Sequence, residues 1–167
     1  MSAIDEVLIA NNSFSTNFPD QKLPTKPARK LGVIACMDYR IPISEALGLK
    51  NGDAVIMRNA GGIVTEDVLR SLIVAHYLLE VQELMIINHT ECGMLTFNEQ
   101  DFIEKLEDET GYTAVIPAHF YTFENLEENV IRQYRRLKSH PWIPHDFPIR
   151  GFIYDVHTGK LSEVALK

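Results

Sequence analysis

Leu31-Gly32-Val33-Ile34-Ala35 is an unbroken apolar run, with Lys30 before it and polar Asp38 shortly after it. A strand with one wet face alternates apolar and polar residues. A run without alternation suits a strand covered on both faces, the kind found in parallel sheets. Parallel neighbours need long crossovers, usually helices, and the rest of the chain reads that way. Ile43 to Leu47 is a short helix that Gly48 is placed to end. After the turn Asn51-Gly52-Asp53, Ala54 to Met57 is a second buried strand. Thr65 caps a helix running to about Glu80, with Glu66 and Asp67 in its first turn, where the helix dipole favours them. Val68, Leu72, Ala75 and Leu79 line one face of it, widened by Leu69, Ile73 and Leu78. Glu83 to Asn88 is the third strand, and Glu99 to Glu109 an amphipathic helix stopped by Gly111. Glu124 to Ser139 is another helix, with Leu126, Val130, Tyr134 and Leu137 on one side and Arg132, Arg135, Arg136 and Lys138 on the other. Ile149 to Val156 is the fourth strand, and Thr158-Gly159 turns the chain into a short fifth, Lys160 to Val164. The expected fold class is α/β: a mostly parallel central sheet flanked by helices, with a C-terminal antiparallel edge hairpin.

At 167 residues the chain fits one domain. The expected catalytic domain is 28–167. Residues 1–27 read as an N-terminal arm. Ile4, Val7, Leu8, Ala10 and Phe14 form one apolar helical stripe, and Pro19, Pro24 and Pro27 then interrupt regular structure. Such an arm either packs on a partner subunit or frays as a terminus. A net charge of −7 argues against nucleic-acid and anionic-membrane partners, which need a basic surface. The longest apolar runs, Leu31 to Ala35 and Leu84 to Ile87, are far too short to cross a bilayer. The first residues carry no basic start and no apolar signal core, so the expected location is cytoplasmic.

Two cysteines cannot form a disulfide framework. Their placement is more informative than their number. In open sheets of this kind, ligands gather outside the carboxyl ends of the strands. Cys36 follows the first strand, Arg58-Asn59-Ala60-Gly61-Gly62 the second, and His89 and Cys92 the third. Zinc favours thiolate and imidazole ligands in tetrahedral geometry. His89 and Cys92 stand three apart on a turn, and Cys36 can supply a third ligand across the crevice. Three protein ligands leave a fourth position open, as in catalytic sites. The competing reading is two buried thiols acting as small hydrophobes. His76, His119, His140, His145 and His157 lack ligand spacing and are expected to be ordinary surface or structural residues.

Asp38 lies two residues past Cys36, and Arg40 two past that. The pair is either a salt bridge that organises a loop or a carboxylate held beside the metal by a guanidinium, and both can hold at once. Arg40 would keep Asp38 ionised by lowering its pKa.

Cys36-x-Asp38-x-Arg40 followed by His89-x-x-Cys92-Gly93 resembles the β-class carbonic anhydrases, as do Arg58-Asn59-Ala60-Gly61 and the helix after it. The resemblance runs from about Lys30 to the final hairpin. It implies a lyase that binds one Zn2+ per chain and hydrates carbon dioxide reversibly to bicarbonate through zinc-bound hydroxide, built on an obligate homodimer. By position, it makes Cys36, His89 and Cys92 the metal ligands and Asp38 and Arg40 the catalytic dyad. Many members have a small residue where Tyr39 stands here, and Gly where Asn88 and Met94 stand. Backbone N–H groups of Gly61 and Gly62 are expected to contact substrate oxygens, because glycine permits close approach; tight-turn geometry would account for the same glycines. Two alternatives stand beside this reading: a hydrolase of carbon disulfide or carbonyl sulfide on the same site, and a zinc-binding or redox-sensing domain without turnover.

Overall fold

The computed structural model describes residues 1–18, 22–113 and 119–166. Pro19, expected to interrupt the arm, lies outside the described residues, as does Lys167 at the end of the expected domain. The elements follow in the order α1 (Ala3–Thr16), β1 (Leu31–Cys36), α2 (Ile43–Ala46), β2 (Ala54–Asn59), α3 (Glu66–Leu79), β3 (Glu83–His89), α4 (Glu99–Thr110), α5 (Leu126–Lys138), β4 (Ile149–Tyr154) and β5 (Leu161–Val164). Single 3-10 turns occupy Ala60–Gly62 and Gly93–Leu95.

The strands form one five-stranded sheet in the order β2-β1-β3-β4-β5. The first four are parallel, and β5 closes the edge antiparallel to β4, as the sequence pattern predicts. β1 lies between β2 and β3 and is buried along nearly its whole length, which explains its unbroken apolar run. Its side chains divide by the pleat. Ile34 joins Leu84 and Ile86 of β3 beneath α3 and α5, with Val68, Leu72, Val130 and Leu137. Val33 and Ala35 join Ile87 on the opposite face, under Ile43 of α2, Met94 and Phe123. Burying a side chain such as Leu72 or Leu137 contributes about 1.5–3 kcal/mol, so these faces hold the strand ends in place.

The caps follow the sequence. Thr65 accepts from the Val68 N–H at the start of α3, and Gly111 ends α4 in the left-handed region with φ +72°. Two expectations need correction. β2 is not a buried strand: it is the sheet edge, half-buried at four positions and exposed at Ile56 and Arg58, with Ile56 38% exposed. Leu78 does not widen the apolar face of α3 and is 69% exposed. At 100° per residue it sits on the opposite shoulder of the stripe from Leu69 and Ile73, which do pack on the core.

Within the arm, α1 is opened by a capping box between Ser2 and Asp5, and no residue of Ala3–Thr16 is buried. Ile4, Val7, Leu8 and Phe14 are all more than half exposed.

Candidate metal centre

β1 and β3 pair in parallel with Ala35 opposite Ile87, so β1 ends at Cys36 one residue short of the level at which β3 ends at His89. That register brings Cys36 and His89 to neighbouring positions at the carboxyl edge. The chain then turns sharply through Thr90 and Glu91. The Thr90 N–H donates to the Tyr154 carbonyl at 2.9 Å, the Val156 N–H donates to Thr90 Oγ1 at 3.1 Å, and Glu91 takes φ +54°. The turn returns Cys92 to the cluster. One ligand atom from each of Cys36, His89 and Cys92 lies within 4.8 Å of the others, and all three residues are buried.

The donor set fits a metal ion. His89 is wholly buried, and its Nδ1 lies 2.9 Å from the Thr90 carbonyl oxygen. A carbonyl only accepts, so Nδ1 carries the proton and Nε2 presents a bare lone pair. Among the described residues, Nε2 is the buried side-chain polar atom without a hydrogen-bond partner. A lone pair fixed this way, with a backbone carbonyl holding the other nitrogen, is the arrangement of a ligating histidine. The two sulfurs are 4.0 Å apart, close to the edge of about 3.8 Å that two thiolates make around tetrahedral zinc. The sulfurs titrate as a pair. The hydrogen bond from Cys92, helped by contacts from His89, Asp38 and Gly61, holds Cys36 below the ordinary thiol range against its burial. The same bond, with burial, pushes Cys92 above that range.

Asp38 stands beside this cluster, with Oδ2 3.8 Å from His89 Nε2, too far for a hydrogen bond. Arg40 grips the carboxylate with Nε on Oδ1 at 2.9 Å and Nη2 on Oδ2 at 2.7 Å, and the Arg40 N–H donates to Oδ1 at 2.9 Å. These bonds hold Asp38 well below the usual carboxylate range and raise Arg40 in return. The loop-organising reading and the carboxylate-beside-the-cluster reading thus describe one arrangement. Arg40 is anchored on its outer side too, through Nη1 to Glu91 Oε2 at 3.1 Å and Nη2 to the Glu91 carbonyl at 3.0 Å. His157 Nε2 lies 2.8 Å from the other Glu91 oxygen. Arg58 braces the loop from β2, donating to the carbonyls of Cys36 at 2.9 Å and Asp38 at 2.6 Å.

The Gly61 N–H, expected to face substrate oxygens, donates to Cys36 Sγ at 3.3 Å. Gly62 packs directly behind the ligand: a Cβ there would lie 3.0 Å from Cys36 N. Glu91, Arg58 and His157 were not singled out as site residues by sequence reasoning. Arg58 belongs to the run that did stand out, whereas Glu91 meets Arg40 from 51 residues away.

A family model described as carbonic anhydrase matches residues 31–161. The chain is 38% identical over 164 residues to beta-carbonic anhydrase 1 of Mycobacterium tuberculosis, covering 98% of this chain and 99% of that one. A crystal structure of carbonic anhydrase from Streptococcus mutans superposes with a TM-score of 0.93 at 40% identity, covering 99% of both chains. A carbon disulfide hydrolase of Acidithiobacillus thiooxidans is 34% identical over 151 residues, 80% of this chain and 76% of that protein.

Proposed function

Because the chain belongs to the β-class carbonic anhydrase family, we propose that it hydrates carbon dioxide reversibly to bicarbonate, with one zinc ion per chain held by Cys36, His89 and Cys92. The observation that carries this reading is the convergence of two buried sulfurs on the bare Nε2 of His89. Zinc in such a site supplies Lewis-acid activation of water, the nucleophile that hydration needs near neutral pH.

The protein's own residues supply orientation and charge. The Thr90 carbonyl keeps His89 in the tautomer that ligates. Asp38 accepts a hydrogen bond from the nucleophile and aims its lone pair at the carbon of the substrate. It can do so because Arg40 keeps it ionised and in place. Asp38 is therefore the group that touches the reacting water, and Arg40 fixes its position. Gly61 and Gly62 bring backbone close to Cys36, a reading that the N–H···S contact supports. The working unit is proposed to be a homodimer, supported by the unburied apolar stripe of α1. No described helix is long and apolar enough to cross a membrane, and a cytoplasmic location is proposed with it.

The test is a carbon dioxide hydration assay combined with metal analysis. Wild type should carry about one zinc per chain and be active, and Cys36→Ser and Cys92→Ser should each lose both properties. Zinc-replete wild type without hydration activity would overturn the proposal. The carbon disulfide hydrolase relative favours including carbon disulfide and carbonyl sulfide in the substrate panel. Faster turnover of either than of carbon dioxide would make the protein a hydrolase on the same centre.

A further inference from the structure

Four buried hydrogen bonds between side-chain amides and backbone run in series beside the metal ligands. The Val64 N–H donates to Gln133 Oε1 at 2.9 Å, and Gln133 Nε2 donates to Asn129 Oδ1 at 2.7 Å. Asn129 Nδ2 donates to Asn88 Oδ1 at 2.7 Å, and Asn88 Nδ2 donates to the Gly61 carbonyl at 3.0 Å. Asn88, Asn129 and Gln133 are each at most 2% exposed. Chemistry fixes every amide orientation from both ends. The Gly61 carbonyl can only accept, so Asn88 must turn its NH2 toward it; the Val64 N–H can only donate, so Gln133 must turn its oxygen toward it. Each remaining link follows. Buried amides left unpaired are costly, so a fully satisfied chain of this kind is rigid.

Both ends of the chain close on one short loop, 61–64. Asn59 closes the same loop from inside, accepting from the Ile63 N–H and donating to the Ile63 carbonyl, both at 2.8 Å. The loop holds Gly61 at φ +79°, where its own N–H meets Cys36 Sγ at 3.3 Å. The Gly61 carbonyl and N–H belong to different peptide units, so the link between them is geometric: pinning the carbonyl fixes the backbone that aims the N–H. That N–H is one of the contacts by which the fold places a hydrogen-bond donor on a ligand sulfur.

We infer that Asn88, backed by Asn129 and Gln133, is a positioning residue for the metal centre: by pinning the Gly61 carbonyl it fixes the backbone that aims the Gly61 N–H at the Cys36 thiolate, orienting that sulfur and tempering its charge. The inference rests on Cys36 being a metal ligand. It gives α5, which is remote in sequence from all three ligands, a hold on the centre relayed through Asn88 and Gly61.

The test compares zinc affinity, by competition with a chromophoric chelator, in wild type, Cys36→Ser, Asn88→Ala and Gln133→Ala, alongside thermal unfolding of the metal-free proteins. Removing an outer partner of a metal ligand typically weakens binding roughly 10–100-fold. Asn88→Ala should show a loss of that size. Gln133→Ala should unfold at lower temperature too, but lose clearly less affinity than Asn88→Ala, because the Asn88–Gly61 bond survives. If Asn88→Ala loses no more affinity than Gln133→Ala, the amides are merely structural and the inference is overturned. If Cys36→Ser binds zinc as tightly as wild type, the metal assignment falls and takes the inference with it. Loss in Cys36→Ser without loss in Asn88→Ala removes the amide clamp alone. Should Asn88→Ala not fold, wild type loaded with cadmium decides. Scalar coupling between the cadmium nucleus and the Gly61 amide proton, carried through the N–H···S bond, is expected, and its absence overturns the inference.

Discussion

Gly62→Ala separates backbone strain from close approach at the metal centre. Gly62 has φ +61°, and a Cβ there would lie 3.0 Å from both the Ala35 carbonyl carbon and Cys36 N, and 3.2 Å from Asn88 Nδ2. Placing an L side chain in the left-handed region costs about 1–2 kcal/mol. Forcing a methyl group against immovable neighbours adds about 1–3 kcal/mol. Gly111 is the control: φ is +72°, but nothing lies within 4 Å of its Cβ position, so Gly111→Ala carries the strain alone. The two variants should therefore differ by about 1–3 kcal/mol. For a chain of this size that difference is roughly 2–12 °C in Tm, at about 2–4 °C per kcal/mol. The assay is calorimetry on metal-free protein at one fixed protein concentration, which keeps metal and subunit linkage out of the comparison. The atoms struck are the backbone of the Cys36 ligand, so Gly62→Ala should also release zinc faster, and Gly111→Ala should not. Equal Tm losses with unchanged zinc release in both variants would refute the reasoning.

As the proposed dyad, Asp38 and Arg40 are expected to act as a unit, so the Asp38→Asn, Arg40→Ala double variant should hydrate carbon dioxide little more slowly than the worse single variant; losses that multiply in kcat/KM would sink that coupling. Asp38 is held below the usual carboxylate range in the folded protein, chiefly by Arg40, while its unfolded value is about 3.9. The resulting stability is present above that value and lost as pH falls through the folded one, so the urea midpoint advantage of wild type over Asp38→Asn should shrink below about pH 4. An advantage that stays constant into strong acid would show that the pair contributes nothing through ionisation. Deleting residues 1–18 should weaken self-association in sedimentation velocity at micromolar concentration, and a monomeric wild type would remove the proposed role of α1.

The site's own residues were legible because their signals are local. Cys36, Asp38 and Arg40 follow one another at the end of an unmistakable strand, and His89 and Cys92 share one turn. The supporting residues carry no such signal. Asn88 meets Asn129 from 41 residues away, and an amide in a helix looks the same whether it faces water or a buried partner. Gly61 and Gly62 are read from the sequence as places where substrate oxygens approach the backbone, but a glycine does not say what approaches it; in the fold, both lie against Cys36. The edge position of β2 was illegible for another reason. Four apolar residues in a row are compatible with a central or an edge strand, and strand order is decided by pairings that the run does not encode. Leu78 shows the same limit at one residue, since an apolar side chain beside a stripe is not thereby part of it.

The parallel register of β1 and β3 also governs when the metal centre can exist during folding. Cys36 and Cys92 are 56 residues apart in the chain, and nothing holds them together until both strands have paired. Parallel, non-local pairing is a slow event that chain entropy opposes. Before the sheet forms, an ion bridging that span must close the loop at an entropic cost of about 4 kcal/mol, by the estimate used for covalent cross-links. Once the strands have paired, folding has already met that cost. Bound at the proposed site, zinc would be a latch on a finished sheet rather than a template for it, and its presence should be felt as slower unfolding with little change in the rate of folding.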